Sequence, residues 1–161
     1  MFNFAFSLDF LCIAGGDGYF KDLNPAFVTT LGYSLEELFA KPFLEFVHPD
    51  DRKATLDEVE KLACGQLCVD FKNRYQCKNG EYKWLSWVCQ PDLETGLLFA
   101  IARDVSDQVR TEKALRDSEA LLNTTQEIAK IGSWQWQAQD DKLTFSSAML
   151  DILGLTPDSF D

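Results

Sequence analysis

Three kinds of residue in this chain could carry chemistry. The loop Gly15–Gly18 pairs glycines, which let a backbone approach a phosphate closely, with Asp17, which could hold a metal ion. His48 is the only histidine and could accept a phosphoryl group or ligate iron. Five thiols could bind a metal or form disulfides. They are Cys12, Cys64, Cys68, Cys77 and Cys89.

The surroundings of Gly15–Gly18 favour a turn over a nucleotide site. Two short apolar runs flank the loop, at residues 10–14 and 19–23, and Asp17-Gly18 between such runs is a strong tight-turn pattern. The diguanylate cyclase motif that this loop approaches would need a second acidic residue where Gly18 stands, with much more chain before it. We therefore expect a β-hairpin here.

The cysteines and the histidine lack the partners that their chemistry requires. Cys64 and Cys68 lie four residues apart, but no histidine or second pair follows at zinc-finger spacing, and no Cys-x-x-Cys occurs. We predict reduced, mostly buried thiols in a cytoplasmic protein and no metal site. His48 precedes Pro-Asp-Asp at a helix start, where we expect it to end the preceding turn or pair with Asp50 or Asp51.

Composition narrows the class of protein. The 161 residues carry a formal net charge of −11, which argues against sequence-independent binding to nucleic acid and against an anionic membrane surface. The chain is 46% hydrophobic and 13% aromatic, enough for a substantial core. The longest apolar run, residues 97–102, is too short to cross a bilayer, and no basic start followed by an apolar stretch indicates a signal peptide. We expect no membrane insertion.

The hydrophobic pattern predicts an α+β domain. Asn24 is the expected N-cap of a helix that begins at Pro25, and Ser34 with Glu37 forms a capping box for the next. A longer helix is predicted from His48 to about residue 63. Alternating residues 69–77 then begin three antiparallel strands, with an Asn-Gly hairpin after the first. One antiparallel sheet with helices on one face follows.

Two further segments come after this domain. From residue 106 to about 130 the chain is helical and charged, with apolar pairs every seven residues, as in a weak coiled coil. After Gly132 the opening plan repeats without a gap at a shift of 122 positions, so that Leu23 corresponds to Phe145 and Ala26 to Ala148. This second copy is expected to stop after two strands and one helix.

Four pieces of the sequence resemble a PAS domain in order and spacing. They are DGYFKDLNPAFVTTLGYSLEEL, PFLEFVHPDDR, KNGEYKWLSW and IARDVSDQ. The resemblance implies a PAS fold over residues 7–105, a five-stranded antiparallel sheet with short helices on one face. A C-terminal linker helix, residues 106–131, and the start of a second, truncated PAS domain, residues 132–161, would follow.

PAS domains are sensory and dimerising modules, commonly in tandem upstream of histidine kinases or diguanylate cyclases. The resemblance therefore implies a homodimeric sensor module with no catalytic centre of its own, in which a change caused by a ligand or partner passes through the linker helix to an output kinase or cyclase domain. A sensor histidine kinase is the favoured parent protein. Two alternatives stay open: a ligand-free dimerisation scaffold, and a redox or light sensor that holds haem or flavin.

The resemblance places a ligand pocket between the helices and the inner face of the sheet, although a core filled by the aromatic residues is somewhat favoured over an open pocket. The candidate lining residues are Phe27, Leu31, Phe43, Phe46, Phe71, Asn73, Tyr75, Leu85, Trp87, Leu98, Ala100 and Ala102. Haem-binding members hold iron through a histidine on the long helix, which has none here. Light-sensing members carry a reactive cysteine before that helix, where this chain has none. Haem and a flavin adduct are thus disfavoured, the sequence requires no cofactor, and both the presence and the identity of a small-molecule ligand stay open.

Signal transmission and dimerisation have candidate residues of their own. Asp104-Val105-Ser106 resembles the junction that closes the PAS core, and Asp104 or Ser106 is expected to cap the departing helix. Alternation along the strands puts an apolar stripe on the outer face of the sheet, which favours a dimer contact or a cover formed by Phe2, Phe4 and Phe6. The interface candidates are Trp84, Phe99, Ile101, Leu115 and Leu122.

Overall fold

The computed structural model describes residues 7–129, 132–137, 139 and 142–156. The chain forms two compact units, Met1–Val109 and Arg110–Asp161. Residues 130 and 131 of the predicted linker and parts of the predicted tail lie outside the described residues, as do Phe2, Phe4 and Phe6. Among the described residues, no helix has the length and apolar character needed to cross a bilayer.

The first unit is built on one antiparallel sheet. Its strands are β1 (Phe10–Gly15), β2 (Phe20–Leu23), β3 (Cys68–Gln76), β4 (Tyr82–Asp92) and β5 (Leu97–Asp104). Their spatial order is β2-β1-β5-β4-β3, so the last strand in sequence pairs with the first. The predicted α+β class with a five-stranded antiparallel sheet is confirmed.

The helices between β2 and β3 begin and end where local chemistry requires. They are α1 (Pro25–Leu31), α2 (Leu35–Ala40), 3-10 turns at Phe43–Phe46 and Pro49–Asp51, and α3 (Arg52–Ala63). Ser34 and Glu37 form the predicted capping box. The long helix starts later than predicted, because Pro49–Asp51 form a separate 3-10 turn whose Asp50 N–H donates to His48 Nδ1 at 3.2 Å.

The side chain of Asn24 does not cap α1, contrary to the expectation from the sequence. It lies in the N-cap position, but its side chain makes no capping hydrogen bond. Its Oδ1 instead accepts from Leu11 N at 3.0 Å, and its Nδ2 donates to the carbonyl oxygen of Asp9 at 2.9 Å. The side chain is completely buried, and it ties the start of α1 to the edge of β1.

A β-bulge interrupts β3 between Val69 and Phe71. Asp70 occupies it with a φ of +57°, a conformation that Asp tolerates better than most residues. Its carboxylate accepts from Ser86 Oγ at 2.8 Å across the strand pair. Because the extra residue shifts the alternation by one, Cys68 points into the core together with Asn73 and Tyr75.

The second unit repeats the opening hairpin and helix. Helix α4 (Ser106–Ala129) precedes β6 (Trp134–Gln137), β7 (Lys142–Phe145) and α5 (Ser147–Leu153). Strand β7 and helix α5 have the bounds of β2 and α1 shifted by 122. Both helices end at a left-handed glycine, Gly32 with φ +82° and Gly154 with φ +66°.

The hydrogen bonds at the start of the two helices repeat as well. Asn24 N donates to the carbonyl oxygen of Leu11 at 3.0 Å, and Ser146 N donates to that of Ser133 at 2.8 Å. In the reverse direction, Ser133 N donates to Ser146 Oγ at 3.0 Å, as Leu11 N does to Asn24 Oδ1. The repeat found in the sequence is therefore a repeat of backbone structure.

Candidate ligand cavity and signal junction

A cavity of about 60 Å³ lies between α3 and the inner face of the sheet. Helix α3 presents Thr55, Val59 and Leu62 to it at a spacing of one and two helical turns. Glu58, Val59, Phe71 and Cys89 are half-buried, which places the cavity mouth between α3 and the two strands β3 and β4. The lining comprises Cys12, Ala14, Phe20, Phe43, Thr55, Glu58, Val59, Leu62, Cys68, Phe71, Asn73, Tyr75, Trp87, Cys89, Leu98 and Ala100.

Three polar side chains in the cavity wall are hydrogen-bonded to one another. Trp87 Nε1 donates to Asn73 Oδ1 at 2.8 Å, and Asn73 Nδ2 donates to Thr55 Oγ1 at 3.1 Å. The Thr55 hydroxyl in turn donates to the carbonyl oxygen of Asp51 at 2.8 Å. This chain of bonds joins β4, β3 and α3, and it leaves its members little capacity for a ligand.

Tyr75 is the polar lining residue whose hydroxyl has no hydrogen-bond partner among the described residues. Its side chain is 3% exposed, and no described residue forms a hydrogen bond with its hydroxyl. Every fully occluded side-chain nitrogen or oxygen in the described part has a partner, so this hydroxyl keeps a small accessible surface, and its side chain lines the cavity. Burial raises the pKa of Tyr75 well above its usual value, with the Cys12 and Cys89 thiols adding to the effect. The group therefore stays neutral.

Three thiols and one carboxylate complete the lining. Cys68 and Cys89 are directly opposite each other in the β3–β4 pair. Burial raises the pKa of Cys12 to about 12 and also raises the pKa values of Cys68 and Cys89, so all three are thiols at neutral pH. The hydrogen bond from Lys61, at 2.8 Å, lowers the pKa of Glu58 and keeps it an anion at the mouth.

The structure brings together part of the predicted pocket. Seven of the candidates line the cavity: Phe43, Phe71, Asn73, Tyr75, Trp87, Leu98 and Ala100. The other five are buried elsewhere in the core, away from the cavity: Phe27, Leu31, Phe46, Leu85 and Ala102. Aromatic packing explains part of this correction, since the Phe27 ring is enclosed between Phe10 at 4.9 Å and Phe20 at 5.5 Å.

The sequence prediction missed the wall formed by α3 and three residues of the first hairpin. Thr55, Val59 and Leu62 recur at the spacing of one helix face, a pattern that could have identified the wall. Cys12, Ala14 and Phe20 face the cavity because β1 pairs with β5, which places Cys12 beside Ala100. That pairing joins residues almost ninety positions apart, and the local pattern does not contain it.

An ion pair connects the start of α3 to β3, the edge strand of the sheet. Arg74 donates to the Asp51 carboxylate through Nε at 2.8 Å and through Nη2 at 2.6 Å, and its backbone N–H donates to the same group at 2.9 Å. These bonds from Arg74 hold the pKa of Asp51 below its usual range. The Arg74 guanidinium also lies 5.2 Å from the centre of the Trp84 ring.

The signal junction is bonded to the same tryptophan. The backbone N–H of Trp84 donates to Ser106 Oγ at 2.9 Å, and the backbone N–H of Val105 donates to the Trp84 carbonyl oxygen at 2.9 Å. Asp104 accepts from Ser106 N at 2.9 Å and pairs with Lys83 at 2.7 Å. Burial opposes ionisation of Asp104, but the bonds from Lys83 and Ser106 hold its pKa below the usual range.

The predicted interface residues are exposed to different degrees. On the outer face of the sheet Phe99 is 45% and Ile101 50% exposed, and Val88 beside them is 51% exposed. Trp84 is half-buried under Arg74. On α4, Leu115 is 61% and Leu122 58% exposed. An apolar surface is therefore present at both candidate places, and whether it forms a dimer stays a prediction.

The other chemical candidates lie apart from the cavity. Gly15–Gly18 form the turn between β1 and β2, with Gly18 N donating to the carbonyl oxygen of Gly15 at 3.0 Å, so the predicted hairpin is confirmed. His48 packs against Tyr82 with ring centres 4.7 Å apart and is absent from the cavity lining. A volume of about 60 Å³ is also well below the several hundred cubic ångströms of typical cofactor pockets, so haem or flavin does not fit this cavity.

Comparison with known proteins identifies the first unit. Residues 20–96 match the family model described as PAS fold. A domain of the sensory box sensor histidine kinase/response regulator from Geobacter sulfurreducens superposes with a TM-score of 0.56 and 21% identity, covering 63% of this chain and 87% of that one. The PAS domain of a protein from Colwellia psychrerythraea gives a TM-score of 0.58 and 23% identity, covering 65% and 92%.

A curated relative extends over more of the chain. The probable diguanylate cyclase DgcE of Escherichia coli (strain K12) is 26% identical over 152 residues, which is 91% of this chain. The chain spans only 14% of that protein's length.

Proposed function

Because residues 20–96 match the PAS fold family model and the first unit has the fold of solved PAS domains, we propose that the chain is the sensory module of a signal-transduction protein. A small molecule or a partner changes the cavity wall, and the change reaches α4. The single observation that carries this proposal is the series of contacts from the cavity to the first residue of α4, through Thr55, Asp51, Arg74, Trp84 and Ser106.

Each contact in this series is of a kind that resists independent movement. The Asp51–Arg74 pair is held by charge-assisted bonds in a fork geometry, so displacement of α3 has to move the guanidinium with it. The guanidinium lies against the Trp84 ring, and the Trp84 backbone is bonded on both sides to Val105 and Ser106. The series supports a rigid coupling, and coupling measurements are its test.

The output of the parent protein is proposed from its relatives. The chain contains no catalytic centre by our proposal, so an output domain elsewhere in the parent protein would respond to α4. The sequence resemblance favours a histidine kinase, and one structural neighbour comes from a sensor histidine kinase. The curated relative is a probable diguanylate cyclase, so a cyclase is the second candidate for the output domain.

Xenon provides a direct test of the coupling, because it enters apolar cavities without any polar contact. Under xenon pressure, we expect the amide NMR signals of the cavity residues to shift, together with those of Trp84, Val105 and Ser106. In Arg74→Met the cavity shifts should persist while the Ser106 shift is lost. Arg103→Met is the matched control, since Arg103 is an exposed partner of Asp9. If the Ser106 amide signal of the unchanged protein does not shift under xenon pressure, the coupling is wrong.

Dimerisation through α4 has a separate test. The pair Leu115→Glu and Leu122→Glu places charges on the exposed apolar stripe and should lower the oligomeric mass in solution. Asn123→Glu with Thr124→Glu adds the same charge at exposed polar positions of α4 that lie off the leucine stripe and should leave the mass unchanged. If the leucine variants keep the mass of the unchanged protein, the coiled-coil contact is wrong.

The ligand-free scaffold is distinguished from the sensor by native mass spectrometry of protein purified from its expression host. A dimer that carries extra mass supports a ligand sensor, and that mass begins to identify the ligand. A bare dimer moves support to the scaffold, with the Phe99 and Ile101 face as the contact to examine next.

A further inference from the structure

The lining of the cavity specifies the chemistry of what can bind there. We propose that the cavity takes a small uncharged molecule with an apolar body and one hydrogen-bonding group, which pairs with the Tyr75 hydroxyl. This inference rests on the proposed sensory function, and it adds the ligand class and the residue that recognises it.

Size is the first restriction. A water molecule needs roughly 10 to 15 Å³ of such space, so a cavity of about 60 Å³ holds a body of roughly four or five non-hydrogen atoms without rearrangement. The ring pair Tyr75 and Trp87, with centres 5.4 Å apart, closes one side, and Asn73 is fixed between Thr55 and Trp87. The wall is therefore pre-formed, and the ligand must be small.

Charge is the second restriction. The described lining contains no Lys, Arg or His, so an anionic ligand would find no counter-charge, and the Glu58 carboxylate at the mouth would repel it. A cation would lose its hydration among apolar side chains, and Glu58 is already paired with Lys61 at 2.8 Å. The three thiols of the wall are neutral and accept hydrogen bonds only weakly. An uncharged ligand avoids both penalties.

The hydrogen bond is the third restriction. Asn73, Thr55 and Trp87 are bonded to one another, and Glu58 is bonded to Lys61. Among the described lining residues, Tyr75 alone offers an unpaired hydroxyl, on a buried side chain that lines the cavity. A buried hydroxyl without a partner is unfavourable, so a ligand that supplies one acceptor or donor gains from satisfying it. A purely apolar molecule of the same size lacks this gain.

A matched probe series tests the class. The probes are xenon, 1-propanol, propionate and propylammonium, titrated into the full chain while amide signals of the cavity residues are followed by NMR. Xenon reports whether the cavity is accessible at all. We expect saturable shifts with xenon and 1-propanol, and shifts at least tenfold weaker at equal concentration with propionate and propylammonium.

The tyrosine variants test the recognising group. Tyr75→Phe removes one oxygen and should weaken 1-propanol binding about fivefold, the effect of one neutral hydrogen bond, while xenon binding stays within about twofold. Tyr82→Phe is the control, because Tyr82 is 39% exposed and contacts His48 outside the cavity. If Tyr75→Phe lowers the melting temperature markedly, the charge series in the unchanged protein still decides the ligand class.

The outcomes separate the two proposals. If xenon binds and the charged probes bind as well as 1-propanol, or if Tyr75→Phe leaves 1-propanol binding unchanged, the ligand class is wrong and the sensory cavity stands. If xenon fails to shift the cavity signals, the cavity does not admit ligands, and both the class and the cavity-based sensing mechanism are wrong.

Discussion

Residues 10–32 and residues 132–154 have the same local backbone plan but very different burial. We name them the first and the second hairpin–helix segment. Both have two short strands, a helix with identical bounds after the shift of 122, a left-handed glycine, and reciprocal hydrogen bonds at the helix start. Yet Phe10, Phe20 and Phe27 of the first segment are at most 4% exposed, whereas Trp134 and Trp136 of the second are 62% and 57% exposed.

The difference teaches which features are encoded locally. Turn residues, helix caps and short-range hydrogen bonds produce the segment twice, in each case within 23 residues. Burial in the first segment depends on β5, which pairs with all six residues of β1 from a distance of more than eighty positions along the chain. Local chemistry therefore shapes the segment, and strands that are remote in sequence provide most of its core.

The largest expected contrast is in amide exchange. Strand β1 is hydrogen-bonded on both sides, while β6 pairs with β7 in a hairpin whose side chains are mostly exposed. A two-stranded hairpin is at best marginally stable alone. In a monomeric sample, amides in Phe10–Gly15 should exchange about a thousandfold more slowly than those in Trp134–Phe145, measured by hydrogen exchange. Similar protection in the two segments would contradict the interpretation.

Matched truncations should differ almost as much. Phe27→Ala removes a completely buried ring and should lower the free energy of unfolding by about 3–5 kcal/mol. Met149, its equivalent in the second segment, is only half-buried, so Met149→Ala should cost about 1 kcal/mol or less. Denaturant titration followed by circular dichroism measures both. Equal losses would mean that the second segment is packed as firmly as the first.

The helix-start residues provide a more selective comparison. Asn24→Ala removes two hydrogen bonds, to Asp9 and Leu11, from a buried site and should cost about 2–3 kcal/mol, whereas Ser146→Ala should cost about 1 kcal/mol. Asn24→Ser places the serine of the second segment at this position, and its cost in stability should fall between these two values. Thermal unfolding of the three variants measures the order, and an Asn24→Ala protein as stable as the Ser146→Ala protein would overturn it.

Acid should destabilise the first unit through Asp51. Because hydrogen bonds from Arg74 lower the pKa of Asp51 in the folded state, its contribution is present above the unfolded value of about 4 and is lost as the pH falls through the folded pKa. Asp51→Asn should cost about 2 kcal/mol at pH 7 and flatten the loss of stability below pH ~4.

The control for the acid experiment is Asp57→Asn. Asp57 pairs with the exposed Lys53 at 3.0 Å, so this change should cost less than about 0.5 kcal/mol. Denaturant titrations between neutral and acidic pH measure both variants. If the Asp51→Asn protein loses stability with falling pH just as the unchanged protein does, the Asp51 carboxylate does not cause the acid sensitivity.

The smallest effects should be equal in the two segments. Gly32→Ala and Gly154→Ala each force a side chain into a left-handed conformation, at a cost of about 1 kcal/mol. Gly16→Ala is the control, since its backbone is not left-handed and the nearest atom to an added Cβ lies at 3.7 Å. Amide exchange within α1 and α5 measures the local cost, and a clear difference between the two helices would show that packing modifies the cap.

The fold could be predicted from the sequence because its signals are local. Asp17-Gly18, the Ser34–Glu37 capping box and the alternation in residues 69–77 each specify an element without reference to the rest of the chain. The 122-residue shift predicted the second hairpin and helix for the same reason. Whether the second segment belongs to a second PAS domain stays a prediction.

The cavity could be predicted only in part, because it depends on tertiary pairing. Strand alternation correctly directed Asn73, Tyr75 and Trp87 inward. Phe27 and Leu85 are also buried, but aromatic and strand packing place them away from the cavity. Nothing local indicates which buried side chains enclose a void, since that depends on how α3 rests on the sheet.

The bulge at Asp70 sets where β3 can tolerate a change in chain length and where it cannot. Surface loops usually tolerate insertions and deletions, and the turns at Gly18 and Gly80 are sites of that kind. Loss of Asp70 itself would remove the bulge and leave Cys68 in regular alternation with Asn73 and Tyr75, whereas loss of Lys72 would act like a frameshift within the strand. After that loss Cys68 would leave the interior face and Val69 would take its place. Homologous chains that keep this cavity should therefore vary in length at the loops or at the bulge, while the number of residues from Phe71 to Tyr75 stays constant.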